Sequence, residues 1–117
     1  MLVCHSNAKV EGTIEQISDI LNDYETRGIY DVNYDNGFLV KELTDDISIH
    51  YIKTKKVAVV SSRDQYLILC LKMIDAQTSP TGYRRKIVGA RSKDFEQYPT
   101  KNGIVRASTF MTGWVLD

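Results

Sequence analysis

At 117 residues and 43% hydrophobic, the chain can bury the core of a single domain without disulfides or metals, and no apolar run reaches the roughly 18 residues of a membrane-spanning helix. Fifteen basic and fifteen acidic residues cancel, which excludes the one-signed field of a nucleic-acid or strongly anionic partner. Local basic clusters at Lys53-Thr54-Lys55-Lys56 and Arg84-Arg85-Lys86 read as solvated strand ends.

Residues 2–11 are mixed but compatible with a first strand. The N-terminus lacks the basic start and long apolar core of a signal peptide, so a reducing cytoplasm is the expected compartment. Cys4 and Cys70 lack metal-ligand spacing and are expected to be free, buried thiols.

Gly12-Thr13-Ile14-Glu15-Gln16 announces a helix, with Thr13 as N-cap and Gln16, three residues on, closing a capping box. Ile14, Ile17, Ile20, Leu21 and Tyr24 share one face, opposite Glu15, Asp19 and Asp23, so the helix should lie on a core. Arg27-Gly28 is expected to end it, with Gly28 in a left-handed conformation. The period then switches to two. Asn36-Gly37 signals a tight turn, and residues 38–43 and 47–52 read as strands. Residues 53–62 cross to the next strand through an apolar stretch, Val57-Ala58-Val59-Val60.

Residues 61–74 form the central strand. Tyr66-Leu67-Ile68-Leu69-Cys70-Leu71 is nearly unbroken apolar sequence, which demands cover on both faces of the sheet. A turn-rich loop over 75–82, a strand over 83–92, an irregular stretch over 93–102 punctuated by Pro99, and a final strand over 103–116 complete the chain. The class is α+β, a helix followed by an antiparallel meander. One short helix cannot cover an apolar face of that width, so something else must.

Several spaced motifs are more specific. Ser61-Ser62-Arg63-Asp64 before an aromatic and apolar run, Ala90-Arg91-Ser92, and Pro99 through Gly103, Val105, Arg106 and Ala107 to Gly113-Trp114 resemble the middle of a START domain, the StAR-related lipid-transfer family. The capped helix ending in Tyr30-Asp31 is similar to that family's short helical pair, which usually ends in Trp-Asp. The resemblance spans residues 8–116 and implies a helix-grip fold: a curved antiparallel sheet wrapped around a long C-terminal helix, with one lipid in the tunnel between them. It places Met1 near the family's third strand and Asp117 near its second-last, so residues 1–117 are expected to form a single, partial START-like domain lacking the long C-terminal helix. An abbreviated chain, a partial gene reading and a short natural variant all fit. The isolated chain is expected to self-associate through its open sheet.

The resemblance implies a lipid carrier in transient contact with membranes, its ligand a phospholipid, fatty acyl chain or sterol. Alternation on the central strand places Gln65, Leu67, Leu69, Leu71 and Met73 on the more uniformly apolar face, which is assigned to the tunnel. Arg63 either meets a lipid head group or pairs with Asp64 to pin the start of the strand. Sterol-binding members carry an Arg six residues after the Arg of Arg-Asp, paired with an acid on the neighbouring strand. Here the Arg position is Leu69 and the acidic position falls at or beside His50, which argues against a sterol held by a buried charge pair. His50 points to solvent if Ile47, Ile49 and Tyr51 form the only buried face of their strand. It points inward by family likeness, and a bulge before Arg63 would reconcile the two.

Arg106 is expected to pair with Asp94 or Glu96, and Trp114 to pack in the core or at the sheet edge. No Gly-rich phosphate loop, nucleophile motif or metal-ligand cluster is present, so neither catalysis nor a cofactor is expected. The alternative reading is an interaction or regulatory module that self-associates through the sheet and carries nothing.

Overall fold

The computed structural model describes residues 3–117. Helix α1 (Ile14–Asn22) starts as its sequence dictates: Thr13 Oγ1 accepts the Gln16 backbone N–H at 3.1 Å, and Gln16 Oε1 accepts that of Thr13 at 2.9 Å. It ends earlier than expected, at Asn22. The Asp23 carboxylate turns the chain there by accepting from the Glu25 backbone N–H (2.9 Å) and the Thr26 hydroxyl (2.8 Å). Gly28 therefore falls inside a separate 3₁₀ turn (Arg27–Ile29) and is not left-handed.

Strands β1 (Tyr34–Glu42), β2 (Ile47–Thr54), β3 (Arg63–Ile74), β4 (Arg85–Ser92), β5 (Val105–Arg106) and β6 (Thr112–Leu116) form one sheet in the order β1-β2-β3-β4-β6, with β5 beside the start of β3. The nearly unbroken apolar strand, β3, is the middle of that order. All pairs are antiparallel except β3 with β5, which is parallel. Among the described residues no helix is long and apolar enough to cross a membrane.

Four expectations are corrected. Residues 3–11 form no strand; Val3 and Val10 are exposed and find no apolar face to join, and Leu2 lies outside the described residues. Asn36-Gly37 is no turn but part of β1, where the pairing with β2 slips between Tyr34 and Asn36. A side chain at Gly37 would stand 2.8 Å from the Tyr51 carbonyl oxygen and 2.9 Å from the Tyr24 ring, so glycine lets Tyr24 press onto the strand. The final strand is two: the 2.7 Å bond from Arg106 Nε to Asp64 and that from the Ala107 N–H to the Asp64 carbonyl hold β5 against β3. The chain then crosses to the far edge, where Gly113 lets β6 close on β4; a Cβ there would stand 2.0 Å from the Val88 carbonyl oxygen. Lastly, Cys4 and Cys70 are free but exposed, Cys4 in the irregular N-terminal stretch and Cys70 past the reach of the loop that covers its face.

That loop solves part of the covering problem. Tyr66 and Ile68 of β3 share a face with Ile49 and Tyr51 of β2, and residues 93–102 fold over it. Tyr98 stacks on Tyr66 with centroids 4.6 Å apart, and Phe95 meets both rings edge-on. The most buried apolar side chains of this face, Tyr51 and Ile49, thus pack beneath an irregular loop rather than a helix.

Candidate functional site

On β3 the alternation of side chains sends Gln65, Leu67, Leu69, Leu71 and Met73 to the face opposite Tyr66. Antiparallel register brings His50 beside Leu67, Ser48 beside Leu69 and Ile52 beside Gln65 from β2. From β4 it brings Ala90 beside Leu69 and Val88 beside Leu71, and from β6 Trp114 beside Val88. Helix α1 and the turn after it lie over this face. Lys86 donates to the Ser18 hydroxyl, and Arg84 pairs with Glu15 at 2.5 Å.

Between helix and sheet lies a groove of about 210 Å³. Its floor is Ile52, Leu67, Leu69, Val88, Ala90 and Trp114, and its polar lining is Tyr24, His50, Gln65, Thr109 and Thr112. A larger, more open hollow of about 420 Å³ at the start of β1 is lined by Glu25, Asp35, Asn36 and Lys55 and has no comparable apolar wall. The groove is the candidate site because it joins an apolar floor to a few convergent polar groups.

The polar groups are fixed by one another. Tyr24 Oη lies 2.5 Å from His50 Nδ1 and Ser48 Oγ 2.7 Å from Nε2, so both ring nitrogens have partners. With neutral imidazole, one hydroxyl donates to the ring and the ring N–H donates to the other. Burial pushes the His50 pKa down and pushes Tyr24 up to about 12, so both stay uncharged at neutral pH. Thr109 donates to Gln65 Oε1 at 2.6 Å. Arg27 and Asp31, the charged residues of the lining, pair with each other at 3.3 Å.

Of the residues singled out in the sequence, Gln65, Leu67, Leu69 and His50 line the groove together. Leu71 and Met73 share its face but lie beyond its lining, and Met73 is 43% exposed. Arg63 is exposed, outside the groove and unpaired with Asp64, which corrects the expected Arg-Asp pair. His50 faces the groove with no bulge before Arg63, because the β2–β3 register runs unbroken and both faces of β2 are covered. Sequence reasoning missed Ile52, Val88, Ala90, Thr109 and Thr112 as lining residues. The first three follow from the period of two once the register to β3 is known.

Asp64 supports the site from behind. It is 2% exposed and accepts Arg106 Nε at 2.7 Å and the Tyr51 hydroxyl at 3.2 Å. The Asp64 hydrogen bond is the main cause of the raised Arg106 pKa, and burial followed by the Asp64 charge pushes Tyr51 up to about 12. Arg106 also donates to the Tyr98 and Pro99 carbonyls at 3.3 and 3.4 Å, which clamps the covering loop, while Asp94 stands 3.6 Å away as its looser partner. The expected pairing with Asp94 is thus secondary to Asp64.

Comparison with known proteins agrees with this architecture. The family model for the START domain matches residues 6–117. Among solved structures, human STARD10 superposes with a TM-score of 0.73 at 24% identity, over 86% of this chain and 38% of that one. A STAR-related lipid transfer protein fragment from Xanthomonas axonopodis gives 0.68 at 18% identity, over 88% of this chain and 53% of that one. The chain therefore spans about two fifths to one half of these structures. No curated protein sequence matches. The structural likeness shows the fold: a curved, START-like antiparallel sheet of the helix-grip type with a short N-terminal helix.

Proposed function

The chain belongs to the START domain family, a family of lipid-binding and lipid-transfer domains, and from that premise we propose that it holds one lipid against the Leu67–Leu69 face of its sheet. The observation that carries the reading is the groove itself: a sheet face that the covering loop leaves open, with an apolar floor, a neutral hydrogen-bonded set of Tyr24, His50 and Ser48, and lining charges, Arg27 and Asp31, that pair with each other. Each methylene removed from water contributes about 0.8 kcal/mol, so an acyl chain or sterol body along Leu67, Leu69, Val88 and Trp114 can offset the loss of membrane surroundings. In this reading His50, Tyr24 and Gln65 meet the ligand's polar end, and Leu69 stands where the resemblance implies a charged sterol contact would require Arg. Binding and carriage, with no chemical conversion, is the activity this supports.

Native mass spectrometry after expression, with lipid extraction, tests it. One co-purifying lipid per chain is expected, and Leu69→Trp, which fills the floor, should abolish it while the fold persists. Chains that never hold lipid, in cells or after incubation with mixed vesicles, would sink the proposal. A second reading, an interaction module, draws on the edge strand β6, where Trp114 and Val115 are 50% and 57% exposed. Lipid-free oligomers in the same spectra would favour it.

A further inference from the structure

The groove's lining carries charge, but none of it is free. Arg27 Nε holds Asp31 at 3.3 Å, and its guanidinium lies over the Tyr34 ring, 5.5 Å from the centroid. Asp31 also accepts the Asn33 backbone N–H at 3.2 Å. On the helix side, Arg84 holds Glu15 and Lys86 donates to the buried Ser18 hydroxyl. Among the described residues no uncommitted cation or carboxylate lines the groove. A charged ligand end would enter it without a counter-charge, at the desolvation cost of an unpaired ion.

The uncharged polar groups are committed too, with one exception. Both His50 nitrogens have partners in Tyr24 and Ser48. Gln65 is half-buried near the start of β3, and its Oε1 accepts the Thr109 hydroxyl at 2.6 Å, while its Nε2 has no partner among the described residues. Thr109 is itself held, its N–H donating to Ser92 Oγ at 2.7 Å and its carbonyl accepting from the same hydroxyl at 3.2 Å. The Thr109 bond therefore fixes which end of the Gln65 amide is which and leaves two N–H donors uncommitted at the groove wall. Ile52 beside Gln65 and Leu67 two residues along β3 put apolar surface around those donors.

We infer that the groove selects an uncharged lipid with an ester or amide carbonyl at its polar end, a diacylglycerol or a ceramide, and that Gln65 is the specificity-determining residue, donating its free N–H to that carbonyl. This rests on the reading that the groove holds a lipid. Acyl chains then run from Gln65 along Leu67 and Leu69, which follow it on the same face of β3. Phospholipids offer the same ester carbonyls but bring a phosphate, and fatty acids bring a carboxylate; the groove has no free cation for either. A sterol brings no charge but offers no carbonyl to the amide.

The test incubates the chain with dioleoylphosphatidylcholine vesicles carrying equal amounts of dioleoylglycerol, dioleoylphosphatidic acid and cholesterol. The protein is then re-isolated for native mass spectrometry and lipid extraction. Relative to vesicle content, dioleoylglycerol should exceed each of the two phospholipids at least about 10-fold and should also exceed cholesterol. Gln65→Leu should cut retained dioleoylglycerol roughly 2- to 10-fold, the worth of one hydrogen bond. Gln65→Glu keeps the acceptor for Thr109 and the size of the side chain but has no N–H, so it should lose dioleoylglycerol at least as far. Asp31→Asn frees Arg27 and should raise retained dioleoylphosphatidic acid. Uptake of either phospholipid or of cholesterol as readily as dioleoylglycerol would overturn this inference alone and leave the lipid-carrying reading standing. So would undiminished dioleoylglycerol in the folded Gln65 variants, or phosphatidic acid uptake that Asp31→Asn does not change. A chain that takes up no lipid at all overturns both.

Discussion

Replacing Arg106 with Leu removes the partner of the most buried charge in the protein. The Asp64 side chain is 1% exposed, and after the change it keeps one side-chain donor, the Tyr51 hydroxyl at 3.2 Å. Water cannot reach it without displacing the Tyr66–Tyr98 stack that Arg106 also holds through its cation–π contact at 5.1 Å. Breaking a buried pair in this way costs about 3–5 kcal/mol, a large share of the roughly 6–18 kcal/mol expected for a domain of this size. The melting temperature should fall by about 10–20 °C. Asp64→Leu should cost less, because Arg106 is 12% exposed and can turn to Asp94, already 3.6 Å away. The double variant Asp64→Leu/Arg106→Leu should also be milder than Arg106→Leu alone, its residual loss of about 1–3 kcal/mol coming from the unpartnered Tyr51 hydroxyl. Urea unfolding of the three variants gives the cycle. An Arg106→Leu loss under about 1 kcal/mol, or a double variant as damaged as the sum of the singles, would refute the clamp.

The remaining predictions concern the groove wall. Gly37→Ala should destabilise by about 1–3 kcal/mol and blue-shift nothing in the core, but it should displace Tyr24 from His50, visible as a changed His50 ring resonance in NMR. Leu67→Ala, at a residue 5% exposed, should cost about 2–5 kcal/mol by cavity formation, read by thermal melting. His50 makes stability depend on pH in a defined direction. Its folded pKa lies below the ordinary His value through burial, so as pH falls below that value the unfolded chain takes up the proton first and stability declines. The decline should be confined to the window between the ordinary His pKa and the lowered one, with no slope from His50 above or below it; His50→Gln should flatten that part of a melting-temperature profile, and an unchanged slope would count against a buried, neutral His50.

What the sequence revealed and hid follows from the range of each interaction. The capping box of Thr13 and Gln16 is local, and the faces of β3 follow from its period of two, so both were legible. Asp64 and Arg106 are 42 residues apart, and the parallel pairing that joins them leaves no pattern. The break between β5 and β6 was masked because Val105, Ala107, Met111 and Val115 keep an apolar alternation through the gap. Phe95 and Tyr98 sit in a stretch with no periodicity, which hid the loop as the cover of one face. Once that cover is known, the two faces of β3 separate by composition. The face filled by the chain's own loop is rich in aromatics, Tyr66 stacked on Tyr98 with Tyr51 tilted against Tyr66, and one charged clamp at its end. The other is largely aliphatic, Leu67, Leu69, Val88 and Ala90 beside Trp114, with hydroxyls, one imidazole and the paired Arg27 and Asp31 in its polar lining. Aromatic rings and a buried ion pair specify a single partner geometry, which suits a permanent contact. Largely aliphatic walls whose polar groups are paired with one another tolerate a deformable occupant, so the composition of the open face argues for a flexible apolar guest more than for a second rigid loop.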